Sequence, residues 1–232
     1  MKSFLKIVLC SLLVLTSISS FAQHQSKMIV ELVPTTHTLR VQQEITFNNQ
    51  TNDSLNSIIL NDWNNAYSDK NTPLAKRFSD EFYRGFHLAS DSERGGTSNL
   101  TILNNDNLFL SWTRTPENTD LITVNLREKL APHQSVTLYL TYFSKIPSNE
   151  FTKYGYATNG NLNLKNWYLT PARYENNDFV KYSNSNLDDI ANSSCDFFIQ
   201  FKIPKEAILT TDLVIAQQVE EKNNLRNDFN FT

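Results

Sequence analysis

Between Cys195 and Ile203 every second residue is apolar: Cys195, Phe197, Ile199, Phe201 and Ile203, until Pro204 ends the run. Side chains of an extended chain alternate between two faces, so this spacing buries one face and wets the other. It is the wrong period for an amphipathic helix, whose apolar positions recur every three or four residues. The same alternation returns at Leu39, Val41, Ile45 and Phe47, with Gln43 as the one polar intruder on the inward face. It recurs at Ile122, Val124 and Leu126, and at Val136, Leu138, Leu140 and Tyr142, with the loop 127–134 expected to join these two as a hairpin. Shorter candidates are 28–33, 57–62, 100–103, 108–112, 212–216 and 225–231. One stretch reads as helix: Thr72 as N-cap, Pro73 in the first turn, Leu74, Phe78 and Phe82 along one face, and Gly85 as the stop. Strands dominate and no β-α-β alternation occurs, so the expected fold is all-β: an antiparallel curved β-sandwich with one short amphipathic helix.

Residues 1–22 open with Lys2 and Lys6, continue through an apolar core at 7–14 and end in Ser20-Phe21-Ala22. That is the pattern of a cleaved secretory signal. The apolar run is too short for about 30 Å of hydrocarbon, so no membrane span is expected. Val8 and Leu9 are bulky where a lipidation signal before Cys10 would need small residues. The expectation is an exported chain, periplasmic or extracellular, with residues 23–232 as one β domain. Removing the signal takes two lysines from 21 basic residues and leaves 24 acids, a formal charge of −5. This is no footprint for nucleic acid. Cys195 is then the sole cysteine, so no internal disulfide is available and the fold must rest on its core. Asn-x-Ser/Thr triplets such as Asn49-Gln50-Thr51 and Asn99-Leu100-Thr101 follow from the abundance of asparagine.

The chain shows no catalytic constellation. Hydrolytic zinc needs three clustered ligands, usually started by His-Glu-x-x-His. His24, His37, His87 and His133 have no second histidine at helical spacing; His24 reads as N-terminal tail and the others as surface or turn residues. There is no Gly-x-Ser-x-Gly elbow, no calcium loop, and Gly95-Gly96 leads into a strand rather than a phosphate-binding helix. The acid pairs Asp80-Glu81, Asp188-Asp189 and Glu220-Glu221 lie in polar segments and read as solvated surface. One aromatic group stands out around a Gly- and Asn-rich loop: Tyr154, Tyr156, Trp167, Tyr168 and Tyr174. Rings with polar tips suit either a wet binding lip or the packing of an irregular loop, and the sequence leaves both open.

Three segments, taken in order, carry a resemblance. They are His37-Thr38-Leu39-Arg40-Val41-Gln42-Gln43-Glu44-Ile45-Thr46-Phe47, then Leu60-Asn61-Asp62-Trp63-Asn64-Asn65-Ala66-Tyr67, then Asn166-Trp167-Tyr168-Leu169-Thr170-Pro171-Ala172-Arg173-Tyr174. Together they resemble the N-terminal β domain of the M1 family of zinc aminopeptidases, especially secreted Bacteroidetes-type members. In many members a Gln and a Glu just upstream of Ala-Arg help bind the free amino terminus of the substrate. The matching positions here carry Asn166 and Tyr168 with Trp167 between them, so the resemblance implies Asn166, Trp167 and Tyr168 as substrate-binding residues with altered amine recognition. It places zinc, its ligands and the Gly-x-Met-x-Asn loop in a following catalytic domain, and the chain ends in an alternating run at Thr232. The expectation is therefore a truncated gene or fragment: a cleft-forming domain without cofactor, inactive alone, whose partners are the catalytic domain of the same peptidase and a peptide substrate. The alternative is a complete secreted binding module for a peptide, glycan or surface partner.

Overall fold

A computed structural model describes residues 23–183, 185, 192–220 and 224–231. The signal segment 1–22 and Asp188-Asp189 lie outside the described residues. Seven strands come first or run long: β1 His24–Val33, β2 Thr38–Asn48, β3 Leu55–Asn61, β4 Gly96–Leu103, β5 Trp112–Thr115, β6 Asn118–Leu130 and β7 Ser135–Lys145. Five two-residue strands follow: β8 Gly155–Tyr156, β9 Leu162–Asn163, β10 Thr170–Pro171, β11 Tyr174–Glu175 and β12 Asp178–Phe179. The chain then forms β13 Cys195–Pro204, β14 Val214–Glu220 and β15 Asn224–Phe231. A seven-stranded sheet has the order β14-β15-β13-β1-β2-β7-β4, and a four-stranded sheet the order β10-β3-β6-β5. The all-β class expected from the alternation is the class observed. The large sheet is mixed, however, because β1 and β13 run parallel, from His24 opposite Cys195 to Glu31 opposite Lys202.

The two sheets share one core. Val30, Leu39, Ile45, Leu138 and Leu140 of the large sheet and Ile58, Leu60, Ile122 and Val124 of the small sheet belong to a single buried cluster. At about 25 cal/mol per Å² of apolar surface, each such side chain stabilises the fold by roughly 1.5–3 kcal/mol, which is how a chain without a disulfide holds together. The expected β6–β7 hairpin does not form. β6 pairs with β3 and β5, and β7 with β2 and β4, so the segment 131–134 carries the chain from one sheet to the other. Alternation fixes which face of each strand is apolar; two apolar faces can meet across a sandwich as readily as side by side in one sheet.

The helix begins as expected and ends earlier. In α1, Pro73–Asp80, the Thr72 side chain accepts from the Ala75 amide, and Leu74, Ala75 and Phe78 are buried. Phe82 then turns left-handed (φ 60°) and is 89% exposed, leaving the apolar stripe. The Tyr83 amide donates to Phe78 O and the Phe82 amide to Ser79 O. That is a Schellman ending, completed by the Phe78–Tyr83 ring contact at 5.4 Å. Gly85 is not the stop but opens a short second helix, α2 Gly85–Leu88, which buries Phe86. The strand expected at 108–112 starts instead at Trp112. His24 is not tail: it is fully buried at the start of β1, stacked on Phe47 at 4.5 Å, with Nδ1 accepting from the Asn48 amide.

Candidate binding cleft

The segment 166–172 runs from the large sheet to the small one, and a chain of buried polar groups fixes its path. Gln43, the polar intruder of β2, donates from Nε2 to Ser26 Oγ (2.9 Å) and to the carbonyl of Leu169 (2.8 Å). Tyr142 Oη donates to Gln43 Oε1 (2.7 Å) and accepts from the Leu169 amide (3.3 Å). Ser144 Oγ donates to Trp167 O (2.9 Å). Thr170 and Pro171 then pair with Asn61 and Leu60, and the Ala172 amide donates to Ile59 O. Asn192 Oδ1 gathers Asn61 Nδ2, Trp63 Nε1 and Thr170 Oγ1 within 2.9–3.0 Å. Each of these buried groups would cost about 1–3 kcal/mol if left unpaired, so the segment is held to one conformation. Burial raises the Tyr142 phenol well above its usual range, which keeps it a neutral donor to Gln43.

Before this anchor, Asn166 sits at φ 51°, a left-handed conformation that asparagine tolerates, and turns the chain so that Trp167 and Tyr168 meet the inner face of β13. Trp167, 6% exposed, meets Tyr168 edge-on at 5.1 Å and Phe201 at 6.0 Å; Tyr168 meets Phe197 at 5.1 Å. These rings floor a cleft of about 460 Å³ bounded by residues 162–168, Phe197, Ile199 and Phe201 of β13, and residues 209–213. A volume in this range with an apolar floor and a few polar groups is what small-ligand sites use. All three residues expected to contact substrate, Asn166, Trp167 and Tyr168, line it. Burial, with Cys195 nearby, pushes the Tyr168 phenol up to about 12, so it enters the site as a neutral hydroxyl. Burial likewise pushes the Cys195 thiol up to about 12, leaving it a poor nucleophile.

The other rings of the aromatic group lie elsewhere. Tyr154 is buried and donates to Asn64 Oδ1 (2.8 Å), Tyr156 stacks on His37 at 3.7 Å, and Tyr174 meets Phe179 edge-on. The segment 209–213 was not expected to line a site; Asp212 was read only as the start of a short strand, 212–216, and nothing local ties it to residues forty positions earlier.

A second polar cluster lies at 62–67. Asp62 is paired with Arg114 and accepts from Thr97 Oγ1 (2.7 Å). Asn64 donates toward Gly96 O, Ser144 Oγ and Lys145 O. Asn65 accepts from the Thr97 amide and donates to Thr119 O. Every one of these side chains is committed to the fold. Among the described residues no three His, Cys, Asp or Glu side chains converge where a metal could sit. No helix of the described residues is long and apolar enough to cross a membrane.

No protein-family model matches the chain, and no curated protein sequence does. Among solved structures, an M1 zinc metallopeptidase from Deinococcus radiodurans is similar over 90% of this chain at 11% identity and a TM-score of 0.43. A variant of a two-domain M1 zinc metallopeptidase bound to L-arginine gives 13% identity and a TM-score of 0.46. The chain spans 38% of the length of each. A likeness this distant assigns neither family nor activity.

Proposed function

We propose that this chain is the substrate-cleft domain of an exported, M1-like zinc aminopeptidase, with Asn166, Trp167 and Tyr168 forming one wall of a peptide cleft and the chemistry supplied by a separate catalytic domain. The observation that carries the reading is the convergence of all three residues on one aromatic-floored cleft, on a segment pinned by Gln43, Tyr142 and Ser144. The ordered resemblance of 37–47, 60–67 and 166–174 to the M1 N-terminal domain, from which these three residues were taken, points the same way. Ile208, Val214 and Ile215, on either side of the 209–213 wall, are exposed apolar residues of the kind a companion domain would cover. Export by residues 1–22 belongs to the same proposal.

Assay of the purified chain with aminoacyl chromogenic substrates and added zinc tests the catalytic half. No chelator-sensitive turnover is expected, and such turnover would sink it. Titration with short peptides tests the cleft half, with Tyr168→Ala as the control for location. The aromatic floor equally favours a second reading, a secreted binding module. Saturable binding of an oligosaccharide in the same cleft, with no peptide competing, would select it.

A further inference from the structure

The outer face of the seven-stranded sheet carries a pattern that neither the core nor the cleft requires. On β13 the cleft uses Phe197, Ile199 and Phe201, so Phe198, between them in sequence, belongs to the other face of the sheet. The strand register sets this face in rows. Phe198, Lys27, Glu44 and Tyr139 lie side by side across β13, β1, β2 and β7. Ile29 is two residues further along β1, and Glu31 and Arg40 stand opposite each other two residues beyond it. Ile29, Tyr139 and Phe198 are 45%, 40% and 37% exposed and border a shallow depression of about 400 Å³. On either side of Ile29 is a cross-strand ion pair, Lys27–Glu44 at 3.1 Å and Arg40–Glu31 at 2.9 Å. The two pairs are reversed in order: β1 carries the cation of the first and β2 the cation of the second.

We propose that this face is the contact between two copies of the chain in a two-fold dimer. An axis in the plane of the face, running along the strands between β1 and β2, lays β1 of one copy on β2 of the other and β13 on β7. Lys27 then meets Glu44 of the second copy, Glu31 meets Arg40, and the Phe198 ring meets Tyr139. Each ion pair becomes half of a four-charge network, and the apolar residues between are covered. The reversed order of the pairs fixes the register. A copy slid four residues along the strands sets Lys27 on Arg40 and Glu44 on Glu31, so like charges oppose open-ended stacking. The four charges sum to zero, which offers a nucleic acid or an anionic membrane nothing to select. Four strands about 4.8 Å apart, over about seven residues of about 3.3 Å, cover roughly 450 Å² per copy. That is about 900 Å² in total, below the roughly 1,200 Å² of stable complexes, and it fits a weak dimer formed at high concentration. The cleft, on the opposite face of the sheet, stays open in both copies.

This inference does not depend on the reading of 166–168 as a peptide wall. Sedimentation velocity of the purified chain, from about 10 μM to about 1 mM, tests it with the variants Lys27→Glu, Glu44→Lys and Phe198→Ser. The unsubstituted protein should move from monomer toward dimer over this range. Each charge reversal alone sets like charges against each other across the contact and should weaken self-association about tenfold or more. Phe198→Ser should weaken it too. Mixing the two charge-reversed proteins should restore association, because the carboxylates of one then face the ammonium groups of the other. All three side chains are at the surface, and circular dichroism checks that each variant keeps its sheet. A chain that stays monomeric at about 1 mM, a dimer that none of the substitutions weakens, or a mixture that associates no better than its components would overturn the proposal.

Discussion

The clusters at 62–67 and at 162–168 share asparagine, tryptophan and tyrosine, yet they serve opposite ends. Around Asp62, Asn64 and Asn65 the polar atoms named above are paired: a guanidinium on Asp62, a phenol on Asn64, backbone groups on Asn65. Around Tyr168 the Trp167 carbonyl and both backbone groups of Leu169 are paired, but Lys165 and Asp212 line the cleft with no side-chain partner among the described residues. Spare hydrogen-bonding and charge capacity, held on a rigid backbone, distinguishes a surface that can bind from one that only folds. The regions also touch: Ser144 accepts from Asn64 and donates to Trp167 O, so the saturated cluster positions the unsaturated one.

The difference can be broken in order of expected effect. Asp62→Ala strands Arg114 beside a buried site, and losing one partner of such a pair costs about 3–5 kcal/mol. Thermal unfolding followed by circular dichroism should show a midpoint lower by about 10 °C, while peptide affinity per folded molecule stays unchanged. The next effect is in pH. Burial lowers His24 from 6.5 to about 4, so it is neutral in the fold. The unfolded chain binds a proton in that window and the folded chain does not; this contribution to stability is therefore intact above about pH 6.5 and is lost as pH falls toward 4, by about 3 kcal/mol. Urea unfolding at pH 7.5 and 4.5 should show a steeper loss for the unsubstituted protein than for His24→Phe.

Gln43→Leu blurs the comparison deliberately. It leaves Ser26 Oγ, Tyr142 Oη and Leu169 O short of partners, at about 1–3 kcal/mol in denaturant unfolding. It should also weaken peptide binding, because it frees 166–169 to move. Tyr168→Ala loses the ring contacts to Trp167 and Phe197 and so costs stability as well, and should cost about tenfold in peptide affinity by titration, with Tyr168→Phe retaining most of both. At the small end, Arg40→Gln removes an exposed pair with Glu31 and should shift stability by less than about 0.5 kcal/mol and binding not at all.

Much of this architecture is legible in the sequence, and what is not has physical reasons. Period-2 runs located β2, β7 and β13 because each buries one face only. They were silent on partners: β6 and β7 read as a hairpin because neighbours in sequence usually pair, and the parallel closure of β1 on β13 is a contact across some 170 residues. The helix was expected to run on to a glycine, whereas the Phe78–Tyr83 contact ended it earlier at a left-handed Phe82. His24 was taken for tail since nothing local shows that Phe47 will stack on it. For the site, the 166–168 wall entered through resemblance, and Gln43 marked its anchor by breaking the apolar pattern. Asp212, read as the start of a short strand, carried no signal for the site, because a surface carboxylate looks the same whether or not an apolar cleft lies beside it.

The central claim is that the surface around Tyr168 binds peptide while the cluster around Asp62 only folds. Chemical-shift mapping of the isotope-labelled chain titrated with Leu-Phe-Leu tests it most directly. Saturable shifts confined to Trp167, Tyr168, Phe197 and Leu213, with the Asn64 and Asn65 side-chain amides unmoved, are the expected result. Shifts centred instead on the outer face at Ile29, Tyr139 and Phe198, or no saturable shift at all, would contradict it.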